Sequence, residues 1–305
     1  MPLCQAFRSK GLSGFGYTST AEEVTAGLSL AGKNILVTGC NSGLGLETMR
    51  VLALRGACVV GTARTLEKAR AACETVAGLT VPLACELSDP TSVRACVASI
   101  VAKGIQLDAI ICNAGIMALP KIELAYGYEM QFFTNHIGHF ILVTELLNQL
   151  TLTGRVVVVS SAAHTRAPKG GIEFDNLDGN KGYGPWRAYS QSKFANILFA
   201  KELSRRFRGT QRTANAVHPG VVATNLARYN RLGHLLYAAA GPLLFKNAHQ
   251  GAATQVYVAT SPALATVSGM YFSHSNRTAP RADAENPTIA KKLWELSEKI
   301  ATRLH

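Results

Sequence analysis

From Lys33 onward, short apolar runs recur along the chain. Between them lie longer stretches in which apolar positions return every three or four residues. Asn34-Ile35-Leu36-Val37 is the first run, and those at 57–62, 81–85, 109–112, 155–160, 214–218 and 270–273 repeat it. A strand buried on both faces is uniformly apolar, and helical stretches between such strands are parallel crossovers. The pattern predicts an α/β fold: a doubly wound, seven-stranded parallel sheet with helices on both faces, in three αβα layers. Residues 31–305 read as a single domain and residues 1–30 as an extension lying on it. In that extension Thr20-Ala21-Glu22-Glu23-Val24 predicts a short helix with Ser19 or Thr20 as N-cap. A closing helix is expected over about 286–303.

The segment 188–206 reads as a long amphipathic helix, and it carries Tyr189 and Lys193. At i and i+4 the phenol and the ammonium share one face. A cation beside a tyrosine favours the phenolate, so the pair is expected to lower the tyrosine pKa toward neutrality and provide a proton donor and acceptor. By itself the Tyr-x-x-x-Lys spacing equally describes a half-exposed helix face.

Composition narrows the class. The 305 residues are 48% hydrophobic and 16% charged, which suits one large core and not a disordered chain. The seven cysteines form no C-x-x-C pair and lie mostly in apolar runs, which suits a reducing compartment and no metal. Residues 1–15 carry no apolar block, so no signal peptide is expected. The most apolar uncharged stretch, 232–245, falls short of the roughly 20 residues a crossing helix needs. The expectation is a soluble cytoplasmic or organelle-associated protein. The net charge of +12 is scattered apart from Arg205, Arg206 and Arg208 and a basic C-terminal helix. No nucleic-acid motif accompanies it, whereas attraction to an anionic membrane surface is compatible with it.

Gly39, Gly43 and Gly45 fall where the first strand hands over to a helix. In that context Gly39, Asn41, Ser42, Gly43, Leu44 and Gly45 read as a dinucleotide turn, with backbone N–H groups and a helix N-terminus facing a pyrophosphate. The end of the second strand has no acid before Glu67 and offers Arg64, with Lys68 one turn on. A guanidinium matches a ribose 2′-phosphate that a carboxylate would repel, so NADP(H) is expected ahead of NAD(H).

At this point the chain resembles the short-chain dehydrogenase/reductase family of Rossmann-type oxidoreductases, over about residues 31–275. The resemblance rests on ordered motifs: Thr38-Gly39-x-x-x-Gly43-x-Gly45, Cys112-Asn113-Ala114-Gly115, Asn135, Ser160-Ser161, Tyr189 with Lys193, and Pro219-Gly220-x-x-x-Thr224. Gln131 to Phe140, Tyr189 to Asn196, Leu293 to Glu298 and Ser19 to Val24 resemble its retinol-dehydrogenase-like branch. That branch includes relatives near protochlorophyllide reductase and an oxidoreductase of the chloroplast envelope translocon.

The resemblance implies hydride transfer between a nicotinamide and a carbonyl or alcohol. Ser161, in preference to Ser160, would hydrogen-bond the substrate oxygen, and Tyr189 would carry the proton. Lys193 would tune the tyrosine and hold the nicotinamide ribose, and Asn135 would anchor a water leading to solvent. Asn113, Ala114 and Gly115 would pack on the nicotinamide half, with Pro219, Gly220, Val222 and Thr224 opposite. Two departures stand out. Cys112 replaces the family's first asparagine, and Glu86, before Leu87, replaces the aspartate beside the adenine. His136 and His139 flank Asn135 at helical spacing and read as structural, since no third metal ligand accompanies them.

Two segments are expected to set substrate choice. Residues 162–188 form a long connection containing Phe174, Leu177, Tyr183, Pro185 and Trp186, and connections of that length are commonly functional or mobile. Within 225–247, the Leu-, Ala- and Tyr-rich run 228–246 reads as a core-covering helix or a hydrophobic lid. Both favour a lipophilic aldehyde, ketone or alcohol as substrate. Two alternatives remain at this stage. One is a cofactor-sensing interaction protein that docks through Lys291, Lys292, Lys299 and Arg303; the other is a reductase of ring double bonds. The resemblance implies a homodimer through the helices carrying Asn135 and Tyr189, although a basic, membrane-touching monomer is compatible with it. The sequon Asn276-Arg277-Thr278 reads as chance.

Overall fold

The computed structural model describes residues 9–222 and 245–305, so Thr224 and most of the 225–247 segment lie outside the described residues. Seven parallel strands form the sheet: β1 (Asn34–Val37), β2 (Cys58–Ala63), β3 (Thr80–Ala84), β4 (Leu107–Cys112), β5 (Leu150–Val159), β6 (Thr213–His218) and β7 (Tyr271–Ser273). An eighth strand, β8 (Asn276–Thr278), returns antiparallel on β7 and corrects the expectation of seven. The order is β8-β7-β6-β5-β4-β1-β2-β3, reversing direction between β1 and β4. The sequence concealed β8 because Asn276-Arg277-Thr278 is polar, as an exposed edge strand is. The turn before it holds His274 and Ser275 at φ 52° and 61°, the left-handed pair that a two-residue hairpin needs.

Asn276 has a further use. Its Oδ1 accepts from Ser13 N at 3.1 Å, and its Nδ2 donates to Phe15 O at 2.9 Å. The N-terminal extension is therefore fastened to the sheet edge. Helix α1 (Ala21–Val24) follows, and Thr20 is its N-cap in a reciprocal capping box with Glu23. Such a cap is worth about 1 kcal/mol.

Helices α2 (Gly43–Leu54) and α7 (Ala248–Thr260) cover one face of the sheet, where Ile35, Val37, Ile111 and Val157 meet Met49, Leu52 and Val256. The other face carries α4 (Pro90–Ala102), α5 and α6 (Pro185–Arg206), packed on Leu36, Ile110, Val156 and Val158. Alternate residues of each central strand point to opposite faces, and both faces are covered; this is why the runs read as continuously apolar. Helix α5 has three contiguous pieces, Met130–Phe132, a π-helical turn Phe133–Ile137, and Gly138–Glu145. Helix α3 (Leu66–Glu74) closes the β2–β3 connection.

Helix α8 (Pro287–Arg303) buries Leu293, Trp294 and Ile300 against α5 and α6, with Trp294 edge-on to Phe140 at 4.9 Å. The basic cluster near the end of α6 is internally occupied. Arg205 and Arg206 both reach Glu202, and Arg206 also lies 4.0 Å over the Trp294 ring. Among the described residues no helix is long and apolar enough to cross a membrane.

Two histidines of α5 are fully enclosed. Burial holds His136 down to about 3 and His139 to about 4, so both are neutral in the folded chain. The unfolded chain takes up protons below the ordinary histidine pKa of about 6.5, and the folded chain does not. Stability from these groups is complete above that value and is lost as pH falls toward 4. The expected loss at pH 5 is roughly 2 kcal/mol for each histidine. Urea midpoints measured between pH 7.5 and 5 check this, and an unchanged midpoint would contradict it.

Candidate functional site

The carboxyl ends of β1 and β4 lie side by side where the strand order reverses, the place where open α/β sheets leave a crevice. After β1 the chain turns sharply through Gly39 and Gly43, at φ +73° and +57°. A Cβ on Gly39 would fall 2.9 Å from the Ala114 Cβ, and one on Gly45 would fall 2.1 Å from the Gly39 carbonyl oxygen. Two turns of backbone are thus in contact, and only glycine permits it. Ser42 N-caps α2 without a side-chain hydrogen bond, whereas Thr20, Thr65, Asp89, Asn247 and Asn286 each cap their helices with one. The first N–H groups of α2 therefore remain free to meet an anion beside exposed Asn41 and Ser42. This cradle fits a dinucleotide pyrophosphate.

The rest of the crevice follows from neighbouring strand ends. Cys40 N donates to Thr62 O at 2.8 Å, fixing the turn to β2. Arg64 stands exposed just past β2, and Lys68 is exposed in the first turn of α3. Past β3, Glu86 accepts from Ser88 N and Oγ at 3.1 and 2.9 Å, so its carboxylate holds its own loop. Leu87 is buried with its carbonyl pressed on Gly138, where a Cβ would sit 2.2 Å away. Past β4, Asn113 Nδ2 donates to Thr38 O at 2.8 Å and its Oδ1 accepts from Gln255 Nε2 at 3.0 Å. Sequence reasoning missed Gln255 because it belongs to α7, 142 residues away. No local signal pointed to it.

Asn135, Lys193, Tyr189 and Ser161 meet beyond the turn. Asn135 occupies the π-helical turn of α5, a local widening that recurs at functional sites. Its Oδ1 accepts from Ile116 N at 2.8 Å, while its Nδ2 donates to Ile116 O and to Ser192 Oγ at 3.0 and 2.9 Å. A Cβ on Gly115 would lie 3.0 Å from Asn135 Oδ1 and 3.3 Å from Lys193 Nζ, so both side chains crowd one bare stretch of backbone. Lys193 Nζ donates to Val159 O at 3.1 Å and lies 5.8 Å from the Tyr189 ring centre. Ser160 Oγ donates to Lys193 O at 2.7 Å and is a structural tie. Ser161 is half-buried and caps a short 3-10 turn through Ala163 N, and its hydroxyl lies near enough to the Tyr189 phenol to favour the phenolate.

The electrostatics depart from expectation. Burial pushes the Tyr189 phenol up to about 12, with the Ser161 hydroxyl pulling the other way. Burial also pushes Lys193 down to about 8. The lysine does not bring the phenol toward neutrality: both groups are buried, and loss of solvation is the largest influence on each.

The long connection 162–188 is not loose. Ala167, Ile172 and Leu177 are buried in the core. The Tyr183 hydroxyl donates to Leu119 O at 2.6 Å, and Gln131 ties that hydroxyl to Pro185 O. Helix α6 starts at Pro185, three residues ahead of the expected start, with proline in its first turn. Of the aromatic residues singled out there, Trp186 stands beside the site, edge-on to Tyr189 at 6.0 Å and 46% exposed. Opposite, Gly220 has φ +100°, and a Cβ on it would fall 2.7 Å from Lys246 Cδ. Val222 pairs with Lys246 and touches Gly251 of α7, which also meets Leu44.

A family model described as short chain dehydrogenase matches residues 33–234. The chain is 40% identical to the short-chain dehydrogenase TIC 32 B, chloroplastic, of Brassica napus, over 96% of each protein. It is 39% identical to human retinol dehydrogenase 12, over 88% of this chain and 86% of the relative. A crystal structure of a protein from Mycobacterium paratuberculosis, 35% identical, superposes with a TM-score of 0.75 over 92% of this chain and 97% of the other. With the turn, the crevice and the Asn-Ser-Tyr-Lys cluster in one place, the chain belongs to the short-chain dehydrogenase family of oxidoreductases, among relatives that include the retinol dehydrogenases.

Proposed function

We propose that the protein is an NADP(H)-dependent oxidoreductase that interconverts a carbonyl and an alcohol on a lipophilic substrate. The observation that carries this reading is the meeting of Ser161, Tyr189, Lys193 and Asn135 past the carboxyl ends of β4 and β5. Gly39, Gly43 and Gly45 with the open N-terminus of α2 would hold the pyrophosphate, and Arg64 with Lys68 the 2′-phosphate. Asn113, Ala114 and Gly115, with Pro219, Gly220 and Val222, would flank the nicotinamide, while Glu86 and Leu87 would border the adenine. When bound, the nicotinamide supplies or accepts the hydride.

The remaining chemistry belongs to this chain. Ser161 donates to the substrate oxygen and polarises it. A phenol held near 12 keeps its proton at neutral pH, so Tyr189 is poised to deliver that proton as the oxygen gains charge. Lys193, buried and anchored on Val159, places a positive charge behind the phenol during transfer. Trp186 at the mouth and the retinol dehydrogenase relatives both support an apolar substrate. The residues of the docking alternative, Lys291, Lys292, Lys299 and Arg303, lie exposed on α8. Lys292 is stacked 4.2 Å over Phe174, Arg303 5.5 Å over Tyr128, and Lys291 faces Glu295.

Two measurements test the reading, each with aldehydes, ketones and retinoids offered alongside NADPH or NADH and followed by absorbance. Tyr189→Phe is expected to bind NADPH normally and to lose turnover by at least about a hundredfold. In the same assay Ser161→Ala is expected to lose most turnover. Ser160→Ala should keep it and cost about 1 kcal/mol of stability. A Tyr189→Phe variant with full turnover would rule out the proposed proton transfer. Arg64→Ala is expected to weaken NADPH by about tenfold and leave NADH unchanged; equal effects on the two cofactors would count against 2′-phosphate recognition.

A further inference from the structure

His139 lies one helical turn past Asn135 and is fully buried. Its Nδ1 is 3.0 Å from the Asn135 carbonyl oxygen, and its Nε2 is 2.9 Å from Thr38 Oγ1. Thr38 opens the dinucleotide turn, and its Oγ1 also accepts from Asn113 N at 2.9 Å and from Ala114 N at 3.0 Å.

Hydrogen counting leaves one arrangement. A carbonyl oxygen has no hydrogen, so Nδ1 must carry the proton and donate to Asn135. In neutral imidazole Nε2 is then bare, and the Thr38 hydroxyl must donate to it. Both remaining lone pairs of Thr38 Oγ1 are taken by the Asn113 and Ala114 N–H groups. The other tautomer would set a bare Nδ1 against a carbonyl oxygen and bring a third donor to an already filled threonine oxygen. The nearby Lys193 charge and the absence of solvent both oppose a second proton on the ring.

We propose that His139, held as the neutral Nδ1–H tautomer, is a positioning residue for the reaction proposed above. By that reading, it joins the dinucleotide turn at Thr38 and the nicotinamide-side backbone at Asn113 and Ala114 to the Asn135 turn of α5. Its two ring nitrogens serve different parts of the site. Nε2 fixes the cofactor cradle through Thr38. Nδ1 fixes the carbonyl of the π-helical turn and so the asparagine that crowds Gly115 beside Lys193. His136, one turn earlier on the same helix, faces away to Ser297 Oγ at 2.8 Å and reaches neither group, so it serves as the internal control.

The two functions can be separated because an asparagine amide sits near the place of Nδ1 and a glutamine amide near that of Nε2. The experiment measures NADPH affinity by fluorescence, kcat at saturating cofactor, and melting temperature for wild type, H139N, H139Q, H139F and H136Q. H139N keeps the bond to Asn135 and frees Thr38, so NADPH affinity is expected to fall about tenfold with kcat within threefold. H139Q keeps the Thr38 bond and frees the Asn135 carbonyl, so kcat is expected to fall about tenfold with affinity little changed. H139F is expected to lose both, and H136Q to change melting temperature alone. If the His139 variants lower only the melting temperature, with affinity and kcat as in wild type, the residue is merely structural and the proposal is overturned. The same holds if H139N and H139Q show no split. Wild type that binds neither NADPH nor NADH would instead overturn the cofactor reading and this proposal together, whereas normal binding with intact turnover in Tyr189→Phe would overturn the proton-transfer reading alone.

Discussion

Backbone contact at the β1–β4 switch point is the constraint on which the rest depends. Gly39 lies against Ala114, and Gly45 rests on the Gly39 carbonyl at a distance no side chain could tolerate. That contact lets the N-terminus of α2 point into the crevice, and it brings the Asn113–Gly115 backbone beneath the place where reacting groups meet. Thr38 closes the same junction, since one hydroxyl satisfies two backbone N–H groups of the neighbouring loop. A buried loop end without such a partner would leave unsatisfied donors at a cost of about 1–3 kcal/mol each.

From this junction the polar groups run in one connected line. Thr38 leads to His139, His139 to the Asn135 carbonyl, and the Asn135 amide to Ile116 and Ser192. Ser192 donates in turn to Tyr189 O at 2.8 Å, so the line ends on the helix that carries the phenol. A network in which each hydrogen has one acceptor is rigid, and it also costs little to bury. The neighbouring ammonium and phenol differ in kind. Both are sealed from water, and burial shifts them in opposite directions from their ordinary values, toward neutrality for each. The fold thus holds a protonated phenol beside a buried lysine that is still largely charged at neutral pH, with the Ser161 hydroxyl near the phenol.

Much of this arrangement was legible in the residues. The strand runs, the glycine spacing and the Tyr189–Lys193 pair are local features, and hydrophobic period and i, i+4 geometry carry them directly. Ser160 Oγ donates to the Lys193 carbonyl, a tie that the Ser-Ser pair in the sequence does not reveal. Strand β8 was missed because an exposed edge has no apolar signature. The order within 162–188 was hidden for a related reason: the packing of Leu177 and Tyr183 shows only once their partners, drawn from α5 and the 116–119 loop, are known.

The sequence by itself determined the layer order of the fold, the place of the glycine turn and the identities of the groups that cluster past β4 and β5. These depend on residues a few positions apart, and short-range stereochemistry decides them. Tertiary structure alone decided what each group does with its hydrogens and its charge. Burial, not proximity to Lys193, sets the Tyr189 pKa. Gln255 reaches Asn113 from 142 residues away, and the His139 tautomer follows from Thr38 in another strand. Solvation and hydrogen-bond partners depend on which distant segments close over a group, and spacing along the chain does not record that.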